Sequence, residues 1–457
     1  MRLMRAKTNA LPTFNQGPLT YSLPNMFRRQ VLSFVFILFF TATLSAQQRV
    51  DSLAVRMLRS DFGVTFTTGN SIRLFHTGQE KFDDLFPAVR RARHSIHLEY
   101  FNFRNDSISS VLFEILAEKA AQGVKVRALF DGFGNSSNNR PLKAHHLKSL
   151  RRRGIEIVEF DRIKFPWINH ALYRDHRKIV VIDDSIAYVG GMNVADYYIV
   201  GKEEFGDWRD IHMRLEGPVV AQLQDIFVGF WNKVTQQRID LEPVETISPL
   251  PKTTSVTAQC KSDTSVSPLP FVATNAMVGV VDRVPNQTPK IIRQTFLTLI
   301  DGAQTQIQII NPYFMPGRKI MRALKRALKR GVDVQILVSD KSDIPVTPRV
   351  VERNVYKLMK RGAQVYMYTG GFHHSKIMMV DSIVSFAGSA NLNARSLRYD
   401  YECNLLICDK DATHALQQVF ETDKRQRCYR LTPEAWRTYS RSRRFAGWFY
   451  QILTPFL

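Results

Sequence analysis

Two stretches of this chain carry one pattern at identical spacing. The first runs His176-Arg-Lys178, four apolar residues, Asp183, then Gly190-Gly-Met-Asn193. The second runs His374-Ser-Lys376, four apolar residues, Asp381, then Gly388-Ser-Ala-Asn391. The order of elements around them repeats as well. Ser95–Phe101 alternates like a half-buried strand, a helical stretch covers Ser110–Gln122, and Gly123–Asp131 reads as a second strand. Thr305–Phe314, Lys319–Lys329 and Gly331–Val338 replay that order. Gly123 and Gly331 are separated by the same 208 positions (331 − 123) as Gly154 and Gly362 (362 − 154). Solenoid repeats have periods of about 20–50 residues, so a repeat of this length is a duplicated domain. Strands alternating with helices make each half α/β.

The chemistry follows from strand geometry. Residues two apart on a strand share a face, about 6.6 Å along it, so each His and Lys point the same way. The runs Ile179–Ile182 and Ile377–Val380 fit strands buried on both faces. The glycines allow a tight turn that returns Asn193 and Asn391 to the same region. A lone His-x-Lys is a common surface accident; two copies with matched Asp, Gly and Asn in a duplicated domain are not. Two halves facing each other offer two imidazoles, two ammonium groups and two amides around one pocket. Lysine and asparagine suit the non-bridging oxygens of a phosphodiester. The histidines supply a nucleophile and an acid for the departing alkoxide. This chemistry requires no carboxylate cluster, so no metal and no cofactor is implied.

The chain of 457 residues is too long for one ordinary core. Its charge of +22 suits a polyanionic partner, either nucleic acid or an anionic membrane surface. Cys260, Cys403, Cys408 and Cys428 show no metal-ligand spacing and read as structural. Cys403 and Cys408 fall on opposite faces of the strand-like run Tyr401–Cys408, about 17 Å apart, and cannot bond to each other. Near the start, Met26-Phe-Arg28-Arg29 precedes the apolar run Val31–Phe40 and small residues ending at Ala46. This is the composition of a secretory signal. The apolar run is shorter than the roughly 20 residues of a bilayer span, leaving an uncleaved, tilted anchor as the other reading. Either keeps Arg28 and Arg29 cytoplasmic and exports the rest. Pro, Ser and Thr dominate residues 243–278, the composition of a linker or surface excursion.

The paired pattern resembles the two HKD motifs of the phospholipase D superfamily, and beyond them the bacterial cardiolipin synthase family. Leu172–Lys178, Trp208-Arg-Asp210, Asn311–Pro316 and Gly388–Ser396 carry the wider likeness. Asn393 and Asp400 depart from it, standing where that family usually has Asp and Asn. The resemblance implies two duplicated α/β domains, each a mixed sheet flanked by helices, with the active site at the interface between the halves. Residues 47–242 and 279–457 are the expected halves, preceded by a signal or anchor over 1–46. It implies His176 as nucleophile and His374 as general acid, with Lys178, Lys376, Asn193 and Asn391 on the phosphoryl oxygens. Asp210 and Glu402 stand where a carboxylate orients histidine, and Asp183 and Asp381 are expected to be structural. The implied reaction joins two phosphatidylglycerol molecules into cardiolipin and glycerol at the exported side of the inner membrane. A phospholipase D with water as acceptor, a superfamily endonuclease and a non-enzymatic binding module are the rival readings. The export signal weighs against nucleic acid. The C-terminal Trp436, Trp448, Phe449 and Tyr450, interleaved with arginines, suit a membrane interface.

Overall fold

The computed structural model describes residues 50, 52–162, 172–239 and 269–454. The expected signal segment 1–46, Cys260 and most of the expected linker lie outside the described residues. Eight strands belong to the first half: β1 (Phe66–Phe75), β2 (Ser95–Tyr100), β3 (Lys125–Asp131), β4 (Glu156–Phe160), β5 (Ile179–Ile182), β6 (Ile186–Gly190), β7 (Asp207–Arg209) and β8 (His212–Glu216). The second half adds β9 (Ala273–Arg283), β10 (Gln306–Ile310), β11 (Asp333–Ser339), β12 (Gln364–Tyr368), β13 (Gly371–His373), β14 (Ile377–Val380), β15 (Val384–Gly388), β16 (Glu402–Cys408) and β17 (Cys428–Leu431). Strand β9 starts at Ala273, where pairing with β1 draws the segment into the sheet.

Fifteen of these strands form one sheet in the order β17-β12-β11-β10-β14-β15-β16-β9-β1-β8-β6-β5-β2-β3-β4. Read outward from the antiparallel β1–β9 seam, the two sides repeat the same order. In both, parallel pairs (β2–β3–β4 and β10–β11–β12) adjoin the antiparallel strand of the motif. The mixed α/β fold and the duplication match the expectation.

Strands β5 and β14 are buried on both faces. Ile179, Val181, Ile377 and Met379 enter one core shared by both halves. Val180 and Ile182 enter a core of the first half, and Met378 and Val380 a larger core dominated by the second. The helices Val219–Thr235 and Lys410–Arg427 cover the shared face.

The motif aspartates explain themselves here. Asp183-Asp184 and Asp381-Ser382 are consecutive left-handed pairs (φ 49°, 51° and 52°, 58°). Each pair occupies the centre of a tight turn closed by Ser185 N–H to Ile182 O (3.1 Å) or Ile383 N–H to Val380 O (3.2 Å). That is the turn whose twist suits a two-residue hairpin. The Asp183 carboxylate then accepts from the N–H groups of Arg93, His94 and Ser95 at 2.7–2.9 Å. Asp381 accepts from those of Gln304, Thr305 and Gln306 at 2.8–2.9 Å. Each aspartate thus ties its hairpin to the start of the neighbouring strand, β2 or β10. Replacing Asp381 by Ala removes those acceptors and strains a left-handed position, at a cost of roughly 2–4 kcal/mol. Denaturant unfolding measures this; a change below about 0.5 kcal/mol, the ordinary surface value, would contradict the role.

Candidate active site

His176 and Lys178 do not lie on the strand as the spacing alone suggests; they occupy the extended segment leading into β5. His374 and Lys376 lead into β14 in the same way. The cause is an exchange of backbone pairing between the halves. Segment β13, just before His374, pairs in parallel with β7 of the first half, and His374 N–H donates to Arg209 O at 2.6 Å. In return Asp175 bridges Tyr401, and His176 N–H donates to Tyr401 O at 3.0 Å.

This exchange crosses the carboxylates. His374 Nδ1 meets Asp210 Oδ2 at 2.7 Å, and His176 Nδ1 meets both Glu402 oxygens at 3.1 Å. Each histidine therefore takes its carboxylate from the opposite half. An imidazole held through Nδ1 presents Nε2 to a reacting atom. Both carboxylates are buried. Burial pushes the Asp210 carboxyl up, but the charges of Lys376 and His374 win and hold it below the usual range. Burial likewise opposes ionisation of Glu402, and His176 and Lys178 override it.

The cations respond in the opposite sense. Burial, then Lys376, bring His374 down to about 4 against the pull of Asp210. Burial, then Lys178, lower His176, with Glu402 opposing. Burial lowers Lys178 to about 8 and Lys376 to about 7. Lys178 Nζ donates to His176 O at 2.6 Å and Lys376 Nζ to His374 O, while Asp210 lies 4.0 Å from the Lys376 ammonium. Neither lysine is among the described residues that line the cavity. Each stands behind its histidine and fixes that residue's backbone.

The histidines and both asparagines line one cavity of about 550 Å³. The Oδ1 atoms of Asn193 and Asn391 are buried with no hydrogen-bond partner among the described residues. The motif glycines are needed for room rather than for a left-handed turn. A Cβ on Gly191 would lie 2.3 Å from Asp210 Oδ1, and one on Gly388 2.3 Å from Cys403 O. In the second half Ser389 takes the place of Gly191 and donates to Glu402. Asp183 and Asp381 are not among the described residues lining the cavity.

Part of the wall lies outside the repeated pattern. Tyr197, Tyr198 and Asp343 line it without belonging to any motif, and Tyr313 Oη donates to Asp343 at 2.5 Å. Asn393 and Asp400, the two departures noted above, also face the cavity. Asn393 Oδ1 caps the short helix Ala394–Arg398 by accepting from Ser396 N–H at 3.0 Å, and Asp400 pairs with Arg395 at 2.7 Å. Among the described residues no group of three or more His, Cys, Asp or Glu is placed to hold a metal.

Comparison with known proteins supplies the family. The family model described as "Cardiolipin synthase, PLD-like domain" matches residues 85–231 and 296–424, one match around each motif. A cardiolipin synthase of Listeria welshimeri is 31% identical over 405 residues, covering 88% of this chain and 79% of that protein. A cardiolipin synthase 2 of Staphylococcus epidermidis is 33% identical over 406 residues, covering 88% and 78%. The crystal structure of phosphatidylserine synthase from Haemophilus influenzae superposes with a TM-score of 0.65 over 88% of this chain and 99% of that one. At 16% identity, that likeness speaks to the fold. The chain belongs to the cardiolipin synthase family of phospholipase-D-like proteins and is an enzyme.

The crossed pairing makes a specific prediction. Asp210→Asn shifts the titration of His374, to lower pH because a pKa-raising charge is lost, and leaves His176 in place. Glu402→Gln does the same to His176. Histidine ¹⁵N NMR reads both; shifts confined to the histidine of the same half would contradict the assignment. Activity should fall by about 10²- to 10⁴-fold in each variant.

Proposed function

We propose that this enzyme is a phosphatidyltransferase that converts two phosphatidylglycerol molecules into cardiolipin and glycerol. The observation that carries the reading is the presence of two imidazoles on one cavity, each with its far nitrogen on a buried carboxylate. Relatives named cardiolipin synthase support the lipid product.

In this scheme Nε2 of His176 attacks phosphorus. The lowering of its pKa by burial and Lys178 favours the neutral, nucleophilic ring. The bond from phosphorus to the glycerol oxygen breaks, and that oxygen takes the proton of His374. Burial and Lys376 leave His374 at about 4, so it charges together with the bound anion, whose phosphate raises the imidazole. Asp210, ionised and 2.7 Å away, stabilises the imidazolium that forms. Glycerol leaves and a phosphatidyl group remains on His176. The terminal hydroxyl of a second phosphatidylglycerol then gives its proton to the now neutral His374. Its oxygen attacks phosphorus, the P–N bond breaks, and cardiolipin departs with His176 restored. Asn193 and Asn391, whose amides face the cavity, hold the non-bridging oxygens, and Lys178 and Lys376 supply positive charge behind them.

The partners in this reading are anionic phospholipid and a membrane surface, on the exported side of the membrane. The Met26–Ala46 composition supports that placement. Among the described residues no helix is long and apolar enough to cross a membrane.

Reconstituted with phosphatidylglycerol in EDTA, the wild-type protein is expected to yield cardiolipin and glycerol by mass spectrometry. His176→Ala and His374→Ala should each lose at least about 10²-fold of that rate. Phosphatidic acid as the sole product would move the reaction to hydrolysis. A folded protein that leaves phosphatidylglycerol unchanged would overturn the substrate.

A further inference from the structure

The C-terminal helix presents an apolar surface that the rest of the fold does not use. The helix Arg441–Phe449 runs directly into a turn of 3₁₀ helix, Tyr450–Leu453. Across these two turns, large apolar side chains stand in the open: Phe445 is 61% exposed, Trp448 53%, Phe449 50%, Ile452 65% and Leu453 40%. Single exposed apolar residues are ordinary, but five within nine positions are a patch of the kind that marks an interaction site. The rings pack on one another instead of on the core, Phe445 lying 5.5 Å from Trp448 and 6.4 Å from Phe449 between centroids.

The orientation of this helix is fixed by its other face. Gly447 is buried, and a Cβ there would lie 2.6 Å from Arg349 O, so the helix sits directly on the backbone of the helix Thr347–Met359. The Arg443 guanidinium holds Glu352 at 2.6 and 3.1 Å, and Arg444 stacks over Trp436 at 5.6 Å. The seat is therefore polar and close-packed, and the aromatic face is turned outward by construction.

We propose that residues 441–453 are an interfacial docking element that lays this face into an anionic lipid surface. Charge favours that occupant. Between Pro433 and Leu453 the chain carries four arginines against one glutamate, in a protein of net charge +22. Arg441 is exposed at the start of the helix, and Arg437 is exposed on the preceding helix, Pro433–Thr438. Basic residues flanking an aromatic, aliphatic face are the composition of a helix that lies in the headgroup region, where each cation near an anionic surface adds about 1 kcal/mol. Position supports it too. The helix Thr347–Met359 starts three residues after Ile344, which lines the catalytic cavity and is itself exposed. The backbone contact of Gly447 with Arg349 thus lies five positions along the chain from a cavity-lining residue. The docking claim stands on this surface alone and does not depend on the reaction assigned to the cavity.

Hydrogen exchange of the full chain, measured with and without vesicles of pure phosphatidylglycerol or pure phosphatidylcholine, tests the claim. Amides of 441–453 should slow by about tenfold or more with the anionic vesicles and much less with the zwitterionic ones. In vesicles of brominated phosphatidylglycerol, wild-type tryptophan emission should be quenched, and Trp448→Phe should lose that component while still binding. Phe445→Ser/Phe449→Ser should abolish protection at 441–453 without changing the unfolding midpoint. Vesicle binding that leaves 441–453 unprotected would overturn the proposal. So would protection that appears without lipid and grows with protein concentration, since the patch would then bind a second copy of the chain.

Discussion

Everything at the centre of this protein depends on an exchange between its halves. The segment before each motif histidine leaves its own sheet to pair with the segment before the other half's carboxylate. The result is that His374 rests on Asp210 and His176 on Glu402. Neither half alone supplies its own motif histidine with this carboxylate. The duplication is thus what brings each motif histidine to its carboxylate, and the 15-strand sheet joined at the β1–β9 seam is the scaffold that holds the exchange in register.

Buried charge reinforces the same seam. Arg177, between the motif histidine and lysine, sits buried with Glu99 at 3.2 Å and, across the seam, Asp282 on β9 at 2.6 Å. Arg283 on the same strand donates to the carbonyl of Asp400, two residues before Glu402. Isolated buried ions are costly, but removing one partner of such a set is costlier still, so the arrangement enforces one geometry. At the site itself the cost appears as lysines lowered to about 8 and about 7. Cationic and amide groups held this way with little solvent are poised for an incoming anion, because they need no reorganisation when charge arrives.

Much of this was legible in the sequence, for identifiable reasons. The runs Ile179–Ile182 and Ile377–Val380 are strands at the residues read, because continuous β-branched and apolar runs bounded by Asp have few other solutions. The helices appear at Ser107–Ala121 and Arg318–Lys329, within a few residues of the reading, and Cys403 and Cys408 share β16 as expected. The motif residues on the cavity were named from spacing alone. What spacing could not convey was connectivity. Asp210 and Glu402 were placed near histidines, but which histidine each serves depends on a crossover between segments some 160–230 positions apart. Nothing local in the sequence distinguishes Arg177 as a buried arginine paired across a sheet. Tyr197, Tyr198 and Asp343 belong to no repeat and carried no signal. The glycines were read as turn formers, whereas the crowding that requires them is visible only once Asp210 and Cys403 are in place.

In the proposed reaction the two histidines divide one double displacement between them, with the phosphatidyl group carried on His176. The direct measurement is a base-quenched single turnover of wild type on phosphatidylglycerol, with the adduct mapped by mass spectrometry. A phosphatidyl mass is expected on the peptide bearing His176, appearing before cardiolipin and decaying as it forms. An adduct on His374, or cardiolipin formed at full rate with His176 never modified, would contradict it.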